Sequence, residues 1–245
     1  MPHFFITTND INSDIITISD KENFHHIVKV LRAKVGEKLV LVDENQTQYT
    51  VFIKNIDNKS ITTKVVDISK STHCLDLNLF LAQSVLKSDA QNMVIQKATE
   101  LGVKGIIPFV SDNCVIKESV IDSKISKWQK IANEAVKQCE RTDFPVVAEK
   151  SMLEQLLRSD DFDIKIACVE REDNYSLKAC LRNLKFDKVQ KILVIIGPEG
   201  GFSAKELKLL EESCVFRVSL GKMILRAETA VITALSNIIY ELENE

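Results

Sequence analysis

The chain has 245 residues, a formal net charge of −3 and 45% hydrophobic residues, enough apolar content for one large or two modest domains. Only seven glycines and four prolines occur and no repeat is obvious, which excludes low-complexity linkers and repeat arrays. No run reaches the roughly 20 apolar residues that span a membrane, and residues 1–8 do not resemble a secretory signal. We therefore expect a globular, cytoplasmic protein with no membrane partner.

The first part of the chain has the pattern of a small β-barrel. Residues 38–42, 49–53 and 61–66 are short alternating runs separated by Asp, Asn and Gly, which is typical of β-strands joined by tight turns. The periodicity changes near residues 69–74. We therefore place one domain at residues 1–70 and a second at residues 74–245.

The second part alternates strands with helical segments, which is the pattern of an α/β fold with a parallel sheet. Residues 75–81 begin the series, and further strands are predicted near 105–110, 164–169, 191–196 and 215–219. Periodicity alone predicts an ordinary doubly wound sheet.

A glycine-rich turn follows the strand at 191–196. Gly197-Pro198-Glu199-Gly200-Gly201 leads into Ser203, and Glu206 three residues later completes the capping box of a helix. Three glycines in five residues permit positive φ angles and a close approach of the backbone to a bound molecule. The turn is therefore a candidate ligand site, with an ordinary strand-to-helix turn as the alternative.

A second junction of the same kind follows the strand at 215–219. Leu220-Gly221 interrupts that strand, and residues 228–242 have the apolar periodicity of a helix with one buried face. Arg226 and Glu228 are thereby placed beside a helix N-terminus at the carboxyl edge of the sheet, where open α/β sheets bind ligands. A structural ion pair between the two side chains is the alternative.

Cysteine and histidine spacing does not suggest a metal site or a disulfide framework. The four histidines lack ligand spacing, and the six cysteines have no close pair, which fits reduced thiols. We predict no metal. The cysteines are Cys74, Cys114, Cys139, Cys168, Cys180 and Cys214.

Several sequence blocks resemble those of a known family and occur in the same order as in that family. They are His26-Ile27-Val28-Lys29-Val30-Leu31-Arg32, Gln96-Lys97-Ala98-Thr99-Glu100-Leu101-Gly102-Val103, Trp128 with Arg141 and Pro145, Gly197-Pro198-Glu199-Gly200-Gly201, Leu220-Gly221 and Ile224-Leu225-Arg226-Ala227-Glu228-Thr229-Ala230. Together they resemble the RsmE family of ribosomal RNA methyltransferases, in the SPOUT superfamily.

This resemblance implies an activity and an architecture. The activity is methyl transfer from S-adenosylmethionine (SAM), the cofactor, to N3 of a uridine in the decoding region of 16S ribosomal RNA within the small ribosomal subunit. The architecture is a PUA-like β-barrel that binds RNA, followed by a SPOUT-type parallel sheet with a C-terminal trefoil knot, in a homodimer. The knot and the dimer are implied by the resemblance alone.

Methylation at N3 requires loss of a proton and stabilisation of the charge left behind, and this chemistry assigns roles to residues in the second turn. Arg226 would stabilise negative charge on the uracil, and Glu228 or a neighbouring group would orient Arg226 or accept the proton, with bulk water through a short relay as the alternative. The remaining roles are implied by the resemblance. Glu199 would contact the cofactor, with a helix-entry carboxylate as the alternative. The cofactor would be held, largely through backbone groups, by Ile196, Gly197, Glu199, Gly201, Leu220, Gly221, Ile224 and Leu225.

RNA contacts need local cations because the net charge is negative. The resemblance favours Lys29, Arg32, Lys97 and Arg141 as RNA-binding residues. Lys97 has an alternative as a local ion pair with Glu100, and Arg141 as a cation near a helix C-terminus.

The chain departs from the family pattern at His3, Asn113 and Met223, where arginine is frequent. The departures concern RNA contacts more than the cofactor. Two alternative functions therefore stay open: a noncatalytic RNA-binding or ribosome-assembly factor, and a SPOUT methyltransferase that acts on another RNA site. A nucleotide-phosphate enzyme is disfavoured because 197–202 lacks the Gly-Lys-Ser/Thr sequence that places lysine on phosphates.

Overall fold

The computed structural model describes residues 3–70, 74–170, 172, 175–184 and 190–243. The chain forms two compact units, the first containing residues up to Cys74 together with Val136–Asp143, and the second containing Leu75–Ala135 and the residues from Phe144 onward. Part of the expected boundary region, residues 71–73, lies outside the described residues. The segment Val136–Asp143, which the sequence analysis assigned to the second domain, belongs to the first unit.

The first unit is built on one six-stranded sheet. Its elements are β1 (His3–Phe5), β2 (Ile11–Asn12), β3 (Ile15–Ile18), α1 (Lys21–His25), β4 (Lys38–Val42), β5 (Thr47–Ile56) and β6 (Ile61–Lys70). The strand order is β1-β4-β5-β6-β3-β2, and the pairs are antiparallel except for β1 with β4. The predicted strands are confirmed, and β5 and β6 extend beyond their predicted bounds because they pair with each other along their length.

The core of the first unit explains its alternating sequence. Side chains two apart on the strands point to the same face, and irregularities in β5 at Thr50/Val51 and Ile53/Asn55 bend the strand. The apolar face therefore packs into one core: Phe4, Ile6, Ile16, Ile18, Ile27, Ala33, Leu39, Leu41, Val51, Ile53 and Ile61.

The second unit is built on a seven-stranded parallel sheet, so the α/β class is confirmed. Its elements are β7 (Asn78–Ser84), α2 (Ser88–Glu100), β8 (Gly105–Val110), α3 (Glu118–Cys139), β9 (Val146–Val147), β10 (Ser151–Met152), α4 (Leu153–Arg158), β11 (Ile164–Cys168), α5 (Leu177–Asn183), β12 (Lys191–Ile196), α6 (Ala204–Glu211), β13 (Phe216–Val218) and α7 (Ala227–Leu242). The order is β10-β8-β7-β12-β11-β13, with β9 paired to β8. The final residues of α3, from Val136, are grouped with the first unit.

The central strands of this sheet are buried on both faces. On β12, Ile192 and Val194 belong to one apolar cluster, whereas Leu193 and Ile195 belong to another. Helix α7 packs against α2, α5 and β12. Leu153, Leu156 and Leu157 of α4 and Leu210 of α6 belong to the second cluster. The sheet therefore lies between two helical layers, as a near-continuous apolar strand predicts.

The strand order fixes where the two turns lie. All strands are parallel, so their carboxyl ends share one edge, and β11 lies between β12 and β13. The turns that follow β12 and β13 therefore flank the end of β11. In the part of the chain that the structure describes, no helix combines the length and apolarity needed to cross a membrane.

Candidate functional site

A cavity of about 740 Å³ lies at the carboxyl edge of the parallel sheet. This volume is within the range of about 300–1,000 Å³ that is usual for small-molecule sites. The structure brings together every residue that the resemblance assigned to cofactor binding or catalysis. They are Ile196, Gly197, Glu199 and Gly201 on the first loop and Leu220, Gly221, Ile224, Leu225, Arg226 and Glu228 on the second.

The first loop is held in shape by buried polar and aromatic contacts. Gly201 has a φ of +69°, and its N–H donates to the carbonyl of Pro198 at 3.0 Å. A Cβ atom added to Gly197 would lie 3.1 Å from the ring of Phe202. The fully buried Gln83, at the end of β7, donates from Nε2 to the Gly197 carbonyl at 3.2 Å. The turn is thus fixed before any ligand binds, which lowers the entropic cost of binding.

Asn113 supports the same loop from the segment after β8. Its Nδ2 donates to the carbonyls of Gly200 and Gly201 at 3.3 and 3.0 Å, and a Cβ atom on Gly200 would lie 3.1 Å from the Asn113 Cβ. The family often has arginine at this position. In this chain the shorter amide is a structural brace for the glycine turn.

The predicted capping box at the start of α6 is confirmed. Ser203 Oγ accepts from the Glu206 N–H, and Glu206 Oε2 accepts from the Ser203 N–H at 2.9 Å. Glu206 is only 6% exposed, and it also accepts from Ser111 Oγ at 3.0 Å and from the Asp112 N–H at 3.1 Å. One carboxylate therefore joins α6 to the segment that follows β8.

Replacing Glu206 with alanine is expected to lower the free energy of unfolding by about 3 kcal/mol, because several buried donors lose a charged acceptor. Urea denaturation monitored by circular dichroism measures this change. The matched control is Glu212→Ala at the exposed end of α6, which should shift stability by less than about 0.5 kcal/mol. Equal effects of the two substitutions would contradict the assigned role of Glu206.

The second loop is more open than the first. Gly221 has a φ of +134°, and its N–H donates to Ser219 Oγ at 3.2 Å. Met223 and Ile224 are 77% and 60% exposed. Helix α7 begins at Ala227, one residue before the predicted start, and its N-cap residue Arg226 makes no capping hydrogen bond through its side chain. The amide groups of the first turn therefore carry their partial positive charge into the cavity.

The charged side chains of the cavity are balanced in number. The cations are Lys87, Lys222 and Arg226, and the carboxylates are Glu170, Glu199 and Glu228. Within the described ranges, no ion pair joins Arg226 to Glu228, so the structural ion pair that was the alternative reading is not formed. Glu199 Oε1 accepts from the N–H of Lys87, the N-cap residue of α2, at 3.2 Å. Glu199 thus satisfies a helix-entry amide at the edge of the cavity.

Several residues of the site were not predicted from the sequence. Lys87 lines the cavity from the start of α2, and Cys168, Val169 and Glu170 line it from the end of β11. The signal that could have found the β11 residues is their position directly after a parallel strand. The adjacency of β11 to both turn-bearing strands is a property of the strand order, which periodicity does not reveal.

Desolvation in its half-buried position raises the pKa of the Cys168 thiol to about 12, with a smaller contribution from Cys180. An unfolded cysteine ionises near pH 8.5, so above that pH the native state retains a proton that the unfolded state loses. The stabilising contribution is complete below about pH 8.5 and is lost as the pH rises towards 12. We therefore expect the free energy of unfolding to fall with pH in this window, and to fall less steeply in Cys168→Ala. Urea titrations at several pH values test this, and identical slopes would contradict it.

The predicted RNA-binding residues have different surroundings. Lys29 and Arg32 are exposed on the first unit, Lys29 within a π-helical turn (His26–Val30) and Arg32 with a φ of +55°. Lys97 forms an ion pair with Glu100 at 2.8 Å, as its alternative reading proposed.

Arg141 differs from its prediction as an RNA-binding residue. It lies after the end of α3, is 5% exposed, and pairs with Asp143 through its Nε at 3.0 Å and its Nη2 at 2.8 Å. A guanidinium that is buried against a carboxylate cannot reach RNA without breaking this pair. We therefore leave Arg141 out of the candidate RNA surface.

No cluster of three or more His, Cys, Asp or Glu side chains suited to a metal ion occurs among the described residues.

Comparisons with known proteins show the family of this chain. The family model described as an RNA methyltransferase domain matches residues 73–239, and the model described as an RNA methyltransferase PUA domain matches residues 18–66. The chain is 31% identical over 229 residues to ribosomal RNA small subunit methyltransferase E of Bacillus subtilis, covering 91% of this chain and 89% of the relative.

Solved structures have the same fold over nearly the whole chain. A methyltransferase from Legionella pneumophila in complex with SAM has a TM-score of 0.82 at 27% identity, with coverage of 97% of this chain and 96% of that one. Ribosomal RNA small subunit methyltransferase E from Neisseria gonorrhoeae bound to SAM also has a TM-score of 0.82, at 25% identity, with coverage of 98% and 97%. This chain therefore belongs to the RNA methyltransferase family that includes ribosomal RNA small subunit methyltransferase E, with a PUA domain before its catalytic domain.

Proposed function

We propose that this chain transfers a methyl group from SAM to N3 of a uridine in the decoding region of 16S ribosomal RNA. The observation that carries the proposal is that the glycine turn and the loop before α7 line one shared cavity. Relatives named as small-subunit ribosomal RNA methyltransferases support the RNA class. The uridine, its N3 atom and the decoding region come from the family resemblance.

The chemistry of the cavity fits SAM. Apolar side chains such as Leu220, Ile224 and Leu225 can flank the adenine, and the exposed backbone of the two turns offers donors and acceptors. The carboxylate of Glu199 suits a ligand with cationic groups. When bound, SAM supplies an electrophilic methyl group on its sulfonium.

The residues of this chain would then act on the uracil. Neutral uracil carries a proton on N3, and its removal spreads negative charge onto O2 and O4. Arg226 and the uncapped amide groups of α7 lie at one side of the cavity, where they can stabilise that charge. Preorganised donors of this kind act without reorganisation at the moment of reaction.

Glu228 is assigned the supporting role in proton transfer. It lies in the first turn of α7, two residues after Arg226, and lines the same cavity. From there its carboxylate can orient the guanidinium or accept the N3 proton through one water molecule. Glu228→Gln keeps the shape of the side chain and removes its basicity, so the variant should lower turnover without lowering SAM affinity.

RNA contacts are assigned to exposed cations of the first unit and, separately, to Lys97 of the second unit. Lys29 and Arg32, with Lys34 and Lys38, place four exposed cations within ten residues of a chain whose net charge is −3. Arg32 also has a left-handed backbone conformation, which is uncommon outside glycine and is found often at functional positions. Lys97 can contribute once its half-buried pair with Glu100 opens, since a pair one turn apart on a helix is worth only about 0.2–0.5 kcal/mol.

The double substitution Lys29→Glu and Arg32→Glu is expected to weaken RNA binding at least about tenfold and to reduce the salt dependence of binding by about two counterions. Filter binding at several salt concentrations measures both quantities. The control is Lys59→Glu in the exposed turn between β5 and β6. If the double variant and the control lose the same RNA affinity, Lys29 and Arg32 do not form the RNA-binding surface.

The finer architecture and context implied by the resemblance belong to the same proposal. They are the C-terminal trefoil knot, the homodimer, and action on 16S RNA within the small ribosomal subunit in the cytoplasm. Exposed apolar side chains at Met223 and Ile224, which line the cavity, and at Tyr240, towards the end of α7, support a second copy as a partner because exposed apolar surface marks protein–protein contacts. Light scattering of the purified protein, with Tyr240→Asp as the variant, measures the oligomeric state.

Methyl transfer from SAM labelled with tritium in its methyl group tests the function directly. The RNA is 16S ribosomal RNA, supplied either free or within small subunits, and nucleoside analysis identifies the product. Label in N3-methyluridine supports the proposal. Label in another nucleoside indicates a different RNA site, and no label with either substrate indicates a noncatalytic RNA-binding or assembly factor.

A further inference from the structure

Glu170 lines the cavity from a position that sequence spacing did not predict. It follows β11, the strand between the two strands that carry the loops. The pairing of Cys168 with Ile196 on one side and with Val218 on the other keeps the three strand ends level. The Val169 N–H then donates to the Val218 carbonyl at 2.9 Å, so the backbone is held up to the residue before Glu170.

The carboxylate of Glu170 approaches the glycine turn. A Cβ atom added to Gly201 would lie 3.7 Å from Glu170 Oε2. Because Gly201 has no side chain and a φ of +69°, its backbone leaves the carboxylate open to the cavity. In the described part of the chain, no hydrogen bond or ion pair engages this carboxylate. A carboxylate that can still accept hydrogen bonds therefore lies between the two loops.

We propose that Glu170 binds the ribose hydroxyl groups of the nucleoside part of SAM. An ionised carboxylate has two oxygens that accept hydrogen bonds, and a vicinal diol offers two donors at matching separation. In open α/β sheets, an acidic residue at the end of the strand beside a glycine-rich turn commonly accepts from a ribose hydroxyl. The same relation holds here between β11 and the turn after β12. This inference rests on the proposed function because it takes SAM as the ligand.

The proposal differs from a purely electrostatic role for Glu170. A carboxylate that interacts with the sulfonium charge would bind SAM more tightly than S-adenosylhomocysteine, which lacks that charge. A carboxylate that binds the ribose would favour both ligands equally, since both carry the same sugar. Ligands without the hydroxyl groups separate the two roles further.

The test is isothermal titration of the wild-type protein and Glu170→Gln with three ligands: SAM, S-adenosylhomocysteine and the 2′,3′-dideoxy analogue of S-adenosylhomocysteine. We expect Glu170→Gln to weaken the first two ligands by a similar factor of about tenfold or more. The dideoxy analogue should bind the wild type weakly and should be nearly insensitive to the substitution. The control is Glu212→Gln, which lies outside the cavity and should leave all three affinities unchanged.

The proposal would be overturned if Glu170→Gln lowered the affinity for SAM alone, or if it left all affinities unchanged. It would also be overturned if Glu170→Gln lowered the affinities for S-adenosylhomocysteine and for its dideoxy analogue by the same factor. A wild-type protein that binds none of the ligands would instead count against the proposed function itself. Urea denaturation of Glu170→Gln is expected to match the wild type, because the side chain is exposed and no hydrogen bond or ion pair engages it among the described residues.

Discussion

Replacing Arg226 with alanine is expected to lower the turnover number for methyl transfer by about 100-fold or more while changing SAM affinity little. The guanidinium lies at the N-terminus of α7 and lines the cavity, and its side chain makes no capping bond that the fold would lose. Removing a preorganised cation therefore removes stabilisation of the transition state and leaves the cofactor contacts in place. Single-turnover methyl transfer and SAM titration measure the two effects separately.

Arg182→Ala is the matched control for this prediction. Arg182 lies on α5 outside the cavity, where it forms an exposed pair with Glu241 at 3.5 Å. Its removal should change turnover by less than about threefold, in line with the small energies of such pairs. Unchanged turnover in Arg226→Ala would remove Arg226 from the active role, and loss of SAM binding would reassign it to the cofactor.

Replacing Gly201 with tryptophan is expected to raise the Kd for SAM at least about 100-fold, because an indole ring would occupy volume between the two loops. The residue has a φ of +69° and lies beside Glu170. A non-glycine residue in this conformation also costs about 1–2 kcal/mol of stability, so part of the loss of SAM affinity would come from a less stable fold. Isothermal titration of SAM measures the affinity.

Gly36→Trp is the control that separates a loss of fold stability from a loss of the SAM site. Gly36 has a φ of +89°, lies in the first unit, and has open space where a Cβ atom would be added. Both variants should lose similar stability in urea denaturation, but only Gly201→Trp should lose SAM binding. If Gly201→Trp retains wild-type affinity, the cofactor lies elsewhere.

Local sequence signals predicted the elements that depend on neighbours in the chain. The strands Gly105–Val110 and Lys191–Ile196 occur with their predicted bounds, because apolar runs between turn residues determine buried strands. The capping box of Ser203 and Glu206 follows from residues three apart and needs no tertiary information.

Contacts between distant segments were not predictable from periodicity. The support of Gly197 by Gln83 and of Gly200 by Asn113 joins residues that are 114 and 87 positions apart in the chain. The placement of Glu170 between the two loops depends on the strand order. Spacing does not determine which strands become neighbours, so these parts of the site were missed.

Arg141 illustrates a different limit. The resemblance favoured Arg141 as an RNA-binding residue, but its guanidinium forms a buried pair with Asp143 two residues later. A sequence shows that both residues are present without showing which partner each one takes. Lys97 differs because its partner Glu100 lies one helical turn away, where the geometry of a helix brings the two side chains together.

The most direct test of the proposed activity is mass spectrometry of 16S ribosomal RNA from cells that lack this protein. We expect one N3-methylated uridine in the decoding region to be absent, and to return when the wild-type gene is restored but not when the Arg226→Ala variant is supplied. An unchanged set of methylated nucleosides in the 16S RNA of the deletion strain would contradict the account.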